Sequence, residues 1–174
     1  LPATARILSA RNIPATLHVA GTGSLEKNLA IAAQKRFGSC RLRVHGLLCS
    51  HDYVRLLASC HIGLVCVKPE SRVVMPNKAC DYAAAGLALI NPLSGELANL
   101  IGRSCAGRSY TAGRPISLAD AITDLSSDRL RLAEMQRASR KMAEKNFDRS
   151  TTYPQFVEWI ERVHASRWCK GRFD

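Results

Sequence analysis

The sequence predicts an α/β domain: a doubly wound parallel sheet with helices on both faces and further C-terminal helices packed on it. Three observations carry this. Short apolar runs of strand length alternate with segments whose apolar residues recur at helical spacing. Several runs end on glycine or on the Asn91-Pro92 step, where strands hand over to loops. Two runs, 62–67 and 87–90, are continuously apolar, which suits strands covered on both faces.

In order, Ala3 to Ala10 reads as a helix closed by Ile13-Pro14, and Ala15 to Ala20 as a strand ending at Gly21-Thr22-Gly23. Ser24 is the expected cap of a helix from Leu25 to about Arg36, with Leu25, Leu29 and Ala32 or Ala33 facing inward. Leu42 to His45 is a short strand stopped by Gly46, and a helix opens at Ser50 and runs through Ala58. After the strand Ile62 to Val67 comes the stretch from Val73 to Gly86, where Pro76 suits a helix first turn and Gly86 the left-handed position past its end. The strand Leu87 to Ile90 follows, then a helix from Ser94-Gly95-Glu96 through Ile101 and a weak strand at Cys105 to Tyr110. Beyond the turn Ala112-Gly113-Arg114-Pro115 the chain is helical. Ser117 is the expected cap of Leu118 to Leu125, Asp128 begins a long helix to about Asn146, and Thr151 is the expected cap of a last one carrying Tyr153, Phe156, Val157, Ile160 and Val163.

A length of 174 residues with 47% hydrophobic content is enough for one domain with a proper core. No run approaches a membrane span and no signal-peptide pattern opens the chain, so the expectation is a cytoplasmic protein. The seven cysteines, Cys40, Cys49, Cys60, Cys66, Cys80, Cys105 and Cys169, are scattered and read as reduced residues. Neither they nor His18, His45, His51, His61 and His164 show metal-ligand spacing, so no metal is expected. The net charge of +11 favours an anionic partner. Much of it lies between Arg129 and Arg172, interleaved with Glu134, Glu144 and Glu158 and without an aromatic ladder. That pattern is a solvated helical face, compatible with peripheral contact at the inner face of an anionic membrane, and nucleic acid is not an expected partner.

In a doubly wound sheet ligands bind beyond the carboxyl ends of the strands. Three loops leave those ends: Gly21 to Gly23, Gly46 to Ser50, and Val67 to Lys78. The first lacks the third glycine of a dinucleotide fingerprint, so it reads equally as a tight turn or a ligand loop. At the third, the free amides of the helix start, with Lys78 in the first turn, favour a phosphate group. Asp81 lies three residues after Lys78, on the same face, so a surface salt bridge is the competing reading.

Four segments taken together narrow this: 17–23 (LHVAGTG), 43–47 (RVHGL), 56–64 (LLASCHIGL) and 75–86 (MPNKACDYAAAG). In order and spacing they resemble the C-terminal half of the retaining GT-B glycosyltransferases of the family 4 type, and Glu96 to Ile101, Gly107, Tyr110 and residues 118–122 agree with that family's later segments. The resemblance implies a Rossmann-like donor domain spanning 1–174, one half of a GT-B fold, with the N-terminal acceptor domain and the first strand of this half lying before Leu1. It implies a nucleotide diphosphate sugar as donor substrate and no cofactor. On it, Met75, Pro76, Asn77 and Lys78 would border the diphosphate, Asp81 the ribose hydroxyls, Gly46 and Leu47 the base, and Gly21, Thr22 and Gly23 the donor.

One position departs from that pattern. The first glutamate of the family's paired acidic motif falls at Val73, which cannot accept sugar hydroxyls, and Glu70 could replace it only if the loop bends. No catalytic residue is therefore named. The expectation is the donor-binding half of an enzyme that moves a sugar, of hexose type, onto a polysaccharide or glycolipid acceptor, with this chain inactive by itself. The rivals are a non-catalytic binding module of the same fold, and a nucleotide-sugar epimerase, for which no convincing acid and base pair stands out.

Overall fold

The computed structural model describes residues 1–35 and 37–168. Arg36, Cys169, Lys170 and Arg172 lie outside the described residues. The chain alternates as expected: α1 (Pro2–Ala10), β1 (Ala15–Val19), α2 (Glu26–Ala33), β2 (Cys40–Val44), α3 (Ser50–Ala58), β3 (Ile62–Leu64), α4 (Asn77–Ala84), β4 (Ala88–Asn91), α5 (Glu96–Ser104) and β5 (Gly107–Ser109). Three helices follow, α6 (Pro115–Ser127), α7 (Arg129–Asn146) and α8 (Arg149–Trp168).

Every strand pairing is parallel, as short strands joined by helical crossovers require. The sheet is nevertheless in two pieces, β1-β2 and β3-β4-β5, because among the described residues no strand pairs with both β1 and β3. β4 is the centre of the larger piece and is buried throughout. Its side chains alternate as a pleated strand demands, Ala88 and Ile90 into one apolar cluster with α1 and α6, Leu89 into the other with α4, α5 and α7. Helices therefore cover both faces. The run 62–67 forms a shorter strand than its apolarity suggested, although Val65 is fully buried and its N–H still donates to the Ile90 carbonyl at 2.9 Å.

Helix ends decide several boundaries. Asp128 caps α7 as expected, accepting from the Arg131 N–H at 3.0 Å. Ser24, Ser117 and Thr151 do not cap. Ser24 sits in a turn where the Glu26 N–H reaches the Gly23 carbonyl, leaving Leu25 exposed rather than inward. Ser117 lies inside α6 and accepts instead from the Thr111 N–H at 2.9 Å, and Asp148 takes the capping role at α8 through the Ser150 N–H at 2.9 Å. α7 packs on α4, α5 and α6. The last helix departs from the expectation of packing on the sheet: Tyr153, Phe156, Val157, Ile160 and Val163 are all exposed.

Candidate functional site

The loops leaving the strand ends are tied to one another. Gly21 adopts φ +117° and Gly46 φ +64°, values an L side chain rarely takes, and the Gly21 N–H donates to the Gly46 carbonyl at 2.6 Å. Thr22, Gly23 and Leu47 are exposed beside that bond, Leu47 at 80%. Just before the loops, His18 and His45 stack with centroids 5.2 Å apart and Nδ1 to Nε2 at 2.9 Å. His18 stands opposite Arg43 in the parallel register, so His45, two residues on, is its diagonal neighbour on the same face. Burial, then His45, then Arg43 hold the His18 imidazolium below its ordinary pKa.

α4 is the third segment, and of the residues the sequence names for the donor Lys78 alone lines the cavity beside β1, while Gly21, Thr22, Gly23, Gly46, Leu47, Met75, Pro76, Asn77 and Asp81 do not. Pro76 is the residue before the helix rather than in its first turn, extended at ψ 135° and buried, so it fixes the entry angle without removing a helical N–H. Asn77 and Lys78 open the helix exposed to solvent, and their amides have no carbonyl four residues back to serve. Met75 is half-buried and packs into the cluster around Leu89, so its side chain serves the core. At the other end the Gly86 N–H returns to Ala83 and the Leu87 N–H to Tyr82, both at 2.9 Å, with Gly86 at φ +71°: the left-handed stop that the sequence predicts. Arg140 of α7 donates through Nη1 to the Ala84 carbonyl and through Nε to Glu144 at 2.7 Å, placing a cation at the negative end of the helix.

Lys78 and Asp81 do not pair with each other within 4.0 Å. Asp81 accepts from the Tyr53 hydroxyl of α3 at 3.3 Å, a long, exposed bond. Burial, then Asp81, raises the Tyr53 pKa, so the phenol stays a donor. Lys78, Tyr53, His18 and Ala20 line one cavity of about 860 Å³ that runs down between β1 and β3. Val73 is 47% exposed, and the loop around it is held by weak local bonds, such as the Val73 N–H to Ser71 Oγ at 3.4 Å. Among the described residues no group of three His, Cys, Asp or Glu side chains is placed to hold a metal ion, and no helix is long and apolar enough to cross a membrane.

The family model for glycosyl transferases group 1 matches residues 1–128. The chain belongs to that family. No curated protein matches the sequence. Among solved structures this group 1 chain is similar to sucrose-phosphate synthase from Thermosynechococcus elongatus, at 16% identity and TM-score 0.70, over 95% of this chain and 43% of that one. It is similar to Anabaena HepE in complex with UDP and glucose, at 15% identity and TM-score 0.64, over 93% of this chain and 53% of that one. A glycosyltransferase from Rickettsia africae matches with TM-score 0.69 at 15% identity, over 93% of this chain and 43% of that one. At such identities the likeness is one of fold, the GT-B glycosyltransferase architecture, and the chain spans about half the length of these proteins.

Sequence reasoning missed Tyr53 and the His18 and His45 pair. A signal for the histidines exists: each lies within three residues of a glycine that ends a strand. Nothing local marks Tyr53, whose partner lies 28 residues away across two crossovers.

Proposed function

We propose that the chain is the donor-binding domain of a glycosyltransferase that moves a sugar from a nucleotide diphosphate onto a polysaccharide or glycolipid acceptor, with retention. The observation that carries this is the start of α4, where Lys78, exposed in the first turn, lines the same cavity as Tyr53 and the residues leading to the Gly21 loop. When the bond to the sugar breaks, negative charge grows on the departing diphosphate. Oriented N–H groups and an ammonium next to it lower that barrier more than they stabilise the neutral ground-state link. Asp81, bonded to Tyr53, accepts ribose hydroxyls, and the bonded Gly21 and Gly46 loops border the base and the donor. Val73 offers the sugar no acceptor, so recognition of its hydroxyls falls to Glu70, or to groups on a facing domain.

The experiment is a calorimetric titration with UDP, GDP and ADP. Saturable binding of one of them, weakened by Lys78→Ala and by Asp81→Ala, is the expected result, and indifference to all three sinks the proposal. The 174-residue chain by itself should show no turnover, because catalysis by positioned charge needs a closed, water-excluding cleft. A second reading, a binding module without catalysis, draws on the exposed Val73 side chain. It predicts the same nucleotide binding with no transfer, even when the polypeptide carries its facing domain.

A further inference from the structure

Beside the two bonded loops stands a carboxylate that nothing in the described chain answers. Glu26 is the first residue of α2, where an acid suits the partial positive charge of a helix start. Its carboxylate reaches the neighbouring loop. Gly46, at φ +64°, has an open side, and among the described residues the one heavy atom within 4 Å of where a Cβ would stand there, chain neighbours apart, is Glu26 Oε1 at 3.8 Å. The Glu26 side chain is half-buried, and among the described residues it makes no hydrogen bond and no ion pair within 4.0 Å.

Backbone bonds fix this placement. The Glu26 N–H donates to the Gly23 carbonyl at 3.0 Å and the Gly21 N–H to the Gly46 carbonyl at 2.6 Å, so the start of α2 and the loop after β2 are held to the same turn. Apolar side chains stand out on both segments: Leu25, next to Glu26 in the chain, is 62% exposed, and Leu47, next to Gly46, is 80% exposed. A single exposed leucine means little. Two of them, on the segments that join a bare glycine to an unanswered carboxylate, suit a flat ring that carries N–H groups at its edge.

We propose that Glu26 reads the base of the donor and selects guanine, so that the donor is a guanosine diphosphate sugar. This rests on the donor reading above, in which the Gly46 loop borders the base, and adds to it the identity of the base and the residue that chooses it. An ionised carboxylate only accepts, through two oxygens side by side. Guanine alone among the common bases has two donors side by side on one edge, N1–H and the N2 amine, and the two together form a two-pronged charge-assisted contact. Uracil holds its N3–H between two carbonyl oxygens, and adenine and cytosine set their amine next to a ring nitrogen that accepts. A carboxylate brought against any of these three meets a lone pair. The mismatch weighs as much as the match, because the carboxylate gives up water when a base covers it and only guanine returns both bonds.

The test is calorimetry with GDP, IDP, UDP and ADP on the parent chain and on Glu26→Gln, which keeps the length of the side chain and replaces one acceptor by a donor. IDP is GDP without the N2 amine. GDP should bind best, with IDP roughly 10-fold weaker for one lost contact and UDP roughly 100-fold weaker for two. Glu26→Gln should weaken GDP roughly 10- to 100-fold, weaken IDP less, and leave UDP within about twofold. Equal losses on all four would make Glu26 a prop for the loop and overturn the proposal, as would a GDP preference indifferent to the substitution. UDP or ADP binding best, weakened by Lys78→Ala, overturns the choice of base and leaves the donor reading standing. Silence from every diphosphate takes down the donor reading and this proposal with it.

Discussion

Replacing Lys78 by alanine separates phosphate recognition from everything else α4 does. The side chain is exposed and in no ion pair within 4.0 Å, so its removal should leave stability within about 0.5 kcal/mol of the parent. An ammonium donating to a diphosphate is a charge-assisted contact worth about 1.5–3 kcal/mol. The nucleotide diphosphate that binds best should therefore bind roughly 10- to 150-fold more weakly. The assay is calorimetry of that diphosphate and of its parent nucleoside on both proteins, at two salt concentrations. Loss confined to the diphosphate, and smaller at high salt because the contact is near the surface, is the expected pattern. An equal loss with the nucleoside would mean that Lys78 acts by shaping the site, and unchanged diphosphate binding would remove Lys78 from it; either result refutes the reasoning.

Tyr53→Phe removes only the donor to Asp81, and at 3.3 Å in an exposed setting this should weaken nucleotide binding by about threefold, less than Asp81→Ala, as read by the same titration. Gly107→Ala should destabilise the fold by about 3 kcal/mol in urea denaturation, because its Cβ would stand 1.9 Å from the Leu89 carbonyl oxygen, which is backbone and cannot step aside. His18 binds its proton less readily in the folded chain than in the unfolded one. Its contribution to stability is thus present above the ordinary histidine pKa and lost as pH falls from there through the lowered folded value. NMR titration of its ring should show the pKa moving back toward the ordinary value in His45→Ala, with burial retaining part of the shift.

What the sequence disclosed was whatever one segment decides for itself. The apolar run 87–90 announces a buried strand because hydration alone dictates its burial, and Gly86 announces the end of α4 because few other residues accept φ +71°. Asp128 caps α7 through the Arg131 N–H three residues on, a contact within one segment. Ser24, Ser117 and Thr151 had the right chemistry, but a neighbouring turn, the Thr111 amide and Asp148 competed for the same bonds. The site was legible in part for the same reason. Loop glycines and the start of α4 are local signals, whereas the bond from Tyr53 to Asp81 and the contact of His18 with His45 exist only once crossovers and register bring distant segments together.

The clamp at the rear of α4 bears on how the site can respond to a ligand. Gly86 closes the last turn, Arg140 grips the Ala84 carbonyl, and Ala79 and Ala83 are fully buried against α7. The rear of the helix is thus held like an anvil, by packing and by a hydrogen bond from a second helix. The segment before it, from Lys68 to Met75, is by contrast held by bonds that are few and local. A change at Arg140, on another helix and outside the residues that line the cavity, should therefore loosen that end of α4 and blur discrimination between phosphates of different length.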